Sequence, residues 1–328
     1  MTADGTCRGD VPAEVVELFL SSARAACDPV LRRAVESMPE PLATMAGYHL
    51  GWWDADRSPL AGSSGTFIRA ALVWAAAAAC GGDTGDAAPI AAAVELVHSG
   101  TLLHDDVMAS DAARGGIPTV WSVWGVDNAI LLGNAFQTAA IWILTGLGDP
   151  SVAVRAVIRL ETSCLDLCIE RFEDCAFECG QAGAADSYER MAAGKAAALI
   201  GCCCGLGALA ADAGDATIVA LERFGRELGL ALQCVNDLDR RNATLTVAAA
   251  LNSRSELAIE PAVLCQSSTS TKTIDIDRAA TLVDVAAGRH VVRRCADQRI
   301  QAAVGALPDA VRSRDLTVLS QLICHRER

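Results

Sequence analysis

Two adjacent aspartates, Asp105 and Asp106, stand in the segment ELVHSGTLLHDDVMASDAARGGIPT over residues 95–119. Set on a helix, His98, Thr101 and Asp105 fall at i, i+3 and i+7. One face then carries an imidazole, a small residue and a carboxylate in line, with Asp106 beside them. Neighbouring carboxylates are hard oxygen ligands of the kind magnesium takes, since that ion keeps several waters and fills its shell with substrate phosphate oxygens. The plainer reading is that two acids simply end a helix. A helix C-terminus favours cations, so the pair is unfavourable there unless a metal compensates. Both readings stand on these residues alone.

The elements around this segment read as helices over 12–36 with a break at Pro29, then 66–79, 89–108, 127–145, 152–178, 187–211, 217–236 and 279–306. Pro12 and Pro89 suit a first helical position, where a missing N–H costs nothing. Strand-like alternation is nearly absent, and the joints carry turn residues, as in GGDTGD (81–86) and RGGIP (114–118). The fold class is therefore all-α. A length of 328 residues leans towards two domains. One bundle over 1–328 with acids projecting inward fits the pattern better, with a short tail at 1–11 and a polar surface loop at 266–272 (QSSTSTK).

About half of the chain is apolar and only 10 residues are proline, which gives material for a large core. The formal net charge of −13 argues against nucleic acid or an anionic membrane as partner. No basic and apolar leader opens the chain, and the longest apolar run, 196–211, is short for a bilayer span. A cytoplasmic protein without stable membrane insertion is expected. Fourteen cysteines then read as reduced thiols. Cys164, Cys168, Cys175 and Cys179 share a helical face, but they spread over about four turns without a histidine, so small core residues explain them better than one metal ion. The run Cys202–Cys203–Cys204 reads the same way.

The segment 95–119 resembles the first aspartate-rich region of the trans-isoprenyl diphosphate synthase (polyprenyl synthetase) family, whose usual form is ELxHxxxLxHDDxxD followed by RRGxPT. The likeness extends through GYHLGWWDAD (47–56), Asp174 to Glu178, MAAGKAAAL (191–199) and LGLALQCVND (228–237). It implies the isoprenoid synthase fold, a helical bundle around a deep cavity, and a homodimer. It also implies that Asp105 and Asp106 ligate Mg2+, that Arg114 and Lys195 contact an allylic isoprenoid diphosphate, and that Gln233 and Asp237 serve the facing helix. Magnesium, arginine and lysine would neutralise the charge that grows on a departing diphosphate. In the family, bulky residues one turn before the aspartates cap the cavity floor. Gly100 and Thr101 are small, which implies room for a C20 substrate.

The departures from the family pattern are informative. Its third aspartate is Ala109, with Asp111 two residues later as a substitute ligand. Its GKxxR motif for isopentenyl diphosphate reads Gly65, Thr66, Phe67, Ile68, Arg69, so the lysine is lost. Its second arginine is Gly115, leaving Arg69 and His98 on that side. Losing two charge-assisted contacts of roughly 1.5 to 3 kcal/mol each would weaken binding by about two to four orders of magnitude. The second aspartate-rich region is altered to Asn236, Asp237, Leu238, Asp239. These losses, with Trp74, Trp121, Trp124 and Trp142 as faces for a carbocation, predict a class I terpene synthase that ionises one allylic diphosphate and cyclises it. The alternatives are a prenyltransferase, elongating or using another acceptor, and a non-catalytic subunit of a prenyl synthase.

Overall fold

A computed structural model describes residues 13–60, 65–178, 197–239 and 288–324. Helix α1 (Ala13–Glu36) passes through Pro29 without the expected break. It is followed by α2 (Leu42–His49) and α3 (Ile68–Ala79). Helix α4 (Thr84–Ala109) carries the aspartate pair at its C-terminal end. It begins five residues before Pro89 because the Asp83 carboxylate accepts from the N–H of Gly85 at 2.7 Å and caps the helix there. The proline consequently sits in the second turn and not at the first position.

A two-stranded antiparallel ribbon, β1 (Ala113–Arg114) with β2 (Ile117–Pro118), leads to α5 (Val120–Trp124), α6 (Val126–Thr145) and α7 (Pro150–Glu178). Then come α8 (Ala197–Ala210), α9 (Asp215–Asp239), α10 (Gly288–Ala306) and α11 (Arg314–Cys324). The short helices α2, α5 and α11 escaped the sequence reading. Few turns of periodic pattern exist in them to detect.

Helix α8 is buried on every side, as its uninterrupted apolar sequence requires. It packs between α3 and α9, and glycines set how closely. A Cβ on Gly207 would lie 2.2 Å from the Val73 carbonyl oxygen of α3, and one on Gly225 of α9 would lie 2.5 Å from that of Ile200. Arg155 and Arg159 of α7 bridge to Asp215 and Glu222 of α9. The Cys202–Cys203–Cys204 run is buried in this core, while Cys164 is half-buried against Gln137 of α6 and Cys168 is exposed. The side chains of Cys175 and Cys179 lie outside the described residues.

On the other flank α4 packs against α6. Gly100 faces this seam: a Cβ there would meet the Gly133 carbonyl oxygen at 3.0 Å. Its small size fits the close approach of the two helices. The outer faces of α6 and α7 remain apolar and open, with Leu131, Trp142, Leu165 and Phe172 each more than half exposed. Among the described residues α6 alone is long and apolar enough to cross a membrane, a property that the reading of run 196–211 missed.

Candidate active site

The last turn of α4 is closed by a backbone cap that also builds the site. Ser110 adopts a left-handed conformation at φ 56°, the N–H of Asp111 donates to the Asp106 carbonyl at 2.9 Å, and that of Ser110 donates to Val107 at 3.1 Å. Asp111 is thereby held beside the pair, near enough for its charge to act on Asp106. The Asp111 carbonyl in turn accepts from the Thr119 hydroxyl at 2.9 Å and the Trp121 indole at 2.8 Å. These bonds fasten the ribbon that follows.

The ribbon delivers Arg114. Its turn residues Gly115 and Gly116 both have positive φ, at 57° and 82°, as a two-residue hairpin turn of this kind needs. The absent second arginine thus has a local backbone reason. Tyr48 anchors the far strand by donating to the Pro118 carbonyl at 2.7 Å. Arg114 donates through Nε at 3.1 Å and through Nη2 to Oδ1 of Asp106, which is only 3% exposed. Burial raises the Asp106 pKa, the Arg114 hydrogen bond and charge pull it back, and Asp111 and Asp105 push it up again. Asp105 is more open, and its Oδ1 lies 3.3 Å from Nε of Arg171 on α7.

A second cluster of basic groups lies beside this one. Glu95, buried in α4, accepts from the N–H of Ala70 at 2.8 Å and so caps the start of α3, which carries Arg69. Burial pushes the Glu95 carboxyl up, against the charge of Arg69. Burial likewise holds the His98 pKa well below its ordinary value, aided by the charges of Arg69, His49 and Arg114. Burial, helped by Arg114, lowers His49 at the end of α2 to about 4 against a hydrogen bond with the Ser99 backbone. His98 is therefore within electrostatic reach of Arg69, His49 and Arg114. His49 lies in GYHLGWWDAD, where no local pattern marks it, because only the packing of α2 brings it to α4.

An unfolded histidine titrates near 6.5. Between that value and about 4 the unfolded chain binds a proton that folded His49 refuses, so this contribution to stability falls as pH drops through the window. His49→Gln removes it. Wild type should therefore exceed the variant in melting temperature by less near pH 5 than near pH 7.5. An equal gap at both would contradict the assignment.

Two other expected site residues fall among the described ones. The Thr101 hydroxyl donates to the His98 carbonyl at 2.7 Å, and Gln233 is half-buried on α9. Asn236 and Asp237 fall in the last turn of α9, but their side chains, like Lys195 and the loop 266–272, lie outside the described residues. No group of three His, Cys, Asp or Glu side chains able to hold a metal occurs among the described residues. Asp105 and Asp106 do not build a closed cage. Two carboxylates with open remaining positions are the donor set of a magnesium ion shared with phosphate oxygens, and Asp106 is a buried acid that a cation would relieve. The residues present fit the ion.

Fold and site together define an all-α protein that gathers carboxylates, arginines and neutral histidines at one end of a bundle. The chain matches the family described as Polyprenyl synthetase over residues 58–244 and belongs to it. It is 63% identical to a geranylgeranyl diphosphate synthase of Mycobacterium tuberculosis, covering 100% of this chain and 99% of that one. A (2E,6E)-farnesyl diphosphate synthase of Mycobacterium bovis is 39% identical over 64% of this chain and 58% of its own. Among solved structures, a polyprenyl synthetase from Streptomyces coelicolor superposes with a TM-score of 0.85 at 31% identity, covering 94% of this chain and 99% of that one. The fold is the isoprenoid synthase fold.

These relatives overturn the terpene synthase expectation, since the protein that matches along its full length is named a diphosphate synthase. The structure supplies physical reasons. Subtracting motif cations leaves out those contributed by other elements, and Arg171 of α7 pairs with Asp105. The tryptophans have other partners: Trp74 donates to the Thr84 carbonyl, Trp121 to that of Asp111, Trp124 packs on Tyr48, and Trp142 is 63% exposed on α6.

Proposed function

We propose that the chain is a geranylgeranyl diphosphate synthase, a prenyltransferase that joins isopentenyl diphosphate to an allylic diphosphate and stops at C20. The identity of 63% along the whole length to a protein of that name carries the reading. In it Asp105 and Asp106 hold Mg2+, with Asp111, Asn236 and Asp237 as further ligands. Magnesium would supply neutralising charge to the diphosphate as its carbon–oxygen bond breaks. Arg114, already seated on Asp106, would take the departing oxygens, with Lys195 as a second cation. Arg69 and His98 would hold isopentenyl diphosphate, Arg69 by charge and the neutral imidazole by a hydrogen bond. His49 adds a second neutral ring beside them, which offsets the missing lysine without placing another buried cation next to two arginines.

The test is product chain length. Purified protein with Mg2+, a C15 allylic diphosphate and isopentenyl diphosphate should give a C20 diphosphate by mass spectrometry. Accumulation at another length would move the assignment within the family. No turnover with any primer would leave a non-catalytic subunit.

The same reading includes a cytoplasmic homodimer of a single domain. Free thiols at Cys202, Cys203 and Cys204 suit a reducing compartment. The exposed apolar stripe of Val154, Ile158, Leu165, Ile169 and Phe172 on α7, beside Leu131 and Trp142 on α6, is a face that a second copy would cover. Combining Leu131→Glu with Leu165→Glu should bring the mass in light scattering down to that of one chain, 34.1 kDa. A mass unchanged from wild type would place the interface elsewhere.

A further inference from the structure

Arg171 belongs to none of the motifs that point to this site, yet among the described residues it is a side chain of α7 that reaches the aspartate pair. Its Nε lies 3.3 Å from Oδ1 of Asp105, and the two side chains are 31% and 45% exposed at the end of the bundle. The contact is an ion pair only. Nε of Arg171 is buried and makes no hydrogen bond, so its N–H is still available to an acceptor. Arg114, from the ribbon, holds Asp106. Each of the two adjacent carboxylates thus has its own arginine, one from the ribbon and one from α7.

This arrangement is informative for a site that must take a metal and a diphosphate together. Asp105 would hold a magnesium ion whose remaining positions are filled by phosphate oxygens, and those oxygens would come close to the Arg171 guanidinium that now pairs with the same carboxylate. A modest side-chain rotation exchanges a carboxylate partner for a phosphate partner, and guanidinium is the group best matched to phosphate geometry. The chain has also lost two family cations, at Thr66 and Gly115, so a cation supplied from α7 restores charge at the mouth.

We infer that Arg171 is a ligand of the allylic diphosphate, parked on Asp105 until metal and substrate claim that carboxylate. The inference rests on the prenyltransferase reading for the identity of the substrate, but its core, binding of a diphosphate, is measurable without turnover. Calorimetric titration of the full chain with inorganic diphosphate and Mg2+ should show affinity about tenfold lower in Arg171→Gln, by the loss of one charge-assisted contact. In Arg171→Lys affinity should stay within a few-fold of wild type. In turnover, Arg171→Gln should raise KM for the allylic diphosphate and leave that for isopentenyl diphosphate unchanged. The half-saturating Mg2+ concentration should not rise, because the substitution frees Asp105.

Unchanged diphosphate affinity in Arg171→Gln would overturn the inference. So would a raised Mg2+ requirement with normal diphosphate binding, which would make Arg171 a residue that only orients Asp105. Loss of binding in Arg171→Gln, with a wild type that makes no prenyl diphosphate, would instead sustain the inference and sink the prenyltransferase reading.

Discussion

Asp106→Ala is expected to lower prenyl transfer at least about a thousandfold, since removing one main stabiliser of developing diphosphate charge costs about 4 kcal/mol at the transition state. Two effects combine. A metal ligand disappears, and Arg114 loses the carboxylate that fixes its Nε and Nη2 at the site. Folding should survive, because Asp106 is 3% exposed with a pKa raised by burial, so its charge is held there at a desolvation cost. Steady-state product formation, read beside a melting curve, separates the two. A variant that melts like wild type and has lost turnover supports the metal-site assignment, and retained turnover would remove Asp106 from it.

Gly225→Ala should have the largest effect on stability. The added Cβ would lie 2.5 Å from the Ile200 carbonyl oxygen and 2.8 Å from the Gly201 Cα, both backbone atoms of α8 that have no rotamer to change. Helices α8 and α9 must then separate, at a cost of about 3 kcal/mol or more, at the upper end for overpacked cores. The melting temperature should fall by about 5 to 10 °C for a chain of this size. Because α9 carries Gln233, activity should decline along with stability. Gly305 of α10 provides the control: its Cβ would meet nothing within 4 Å, so Gly305→Ala should leave the melting temperature unchanged or raised.

The sequence disclosed most where its signals are local. Long amphipathic or apolar runs located α6 and α7 to within a residue or two, and the spacing of Asp105, Asp106 and Arg114 survived into contact between the last two at 3.1 Å. Local rules failed where a cap or packing overrode them. Asp83 started α4 before Pro89, and α1 tolerated Pro29. The functional reading failed for a related reason. Cations lost from linear motifs are local, whereas the cation Arg171 and the neutral ring of His49 come to α4 from α7 and α2, far along the chain, and nothing in their immediate neighbours announces it. The tryptophans misled in the same manner, since composition does not say which way an indole faces.

The central claim is transfer to a second diphosphate, and it is tested most directly by whether pyrophosphate release depends on that second substrate. With Mg2+ and a C15 allylic diphosphate alone, the protein should release almost no pyrophosphate. Adding isopentenyl diphosphate should start release at one pyrophosphate for each isopentenyl unit incorporated. Steady release without isopentenyl diphosphate, accompanied by hydrocarbon or alcohol in the organic phase, would contradict the account.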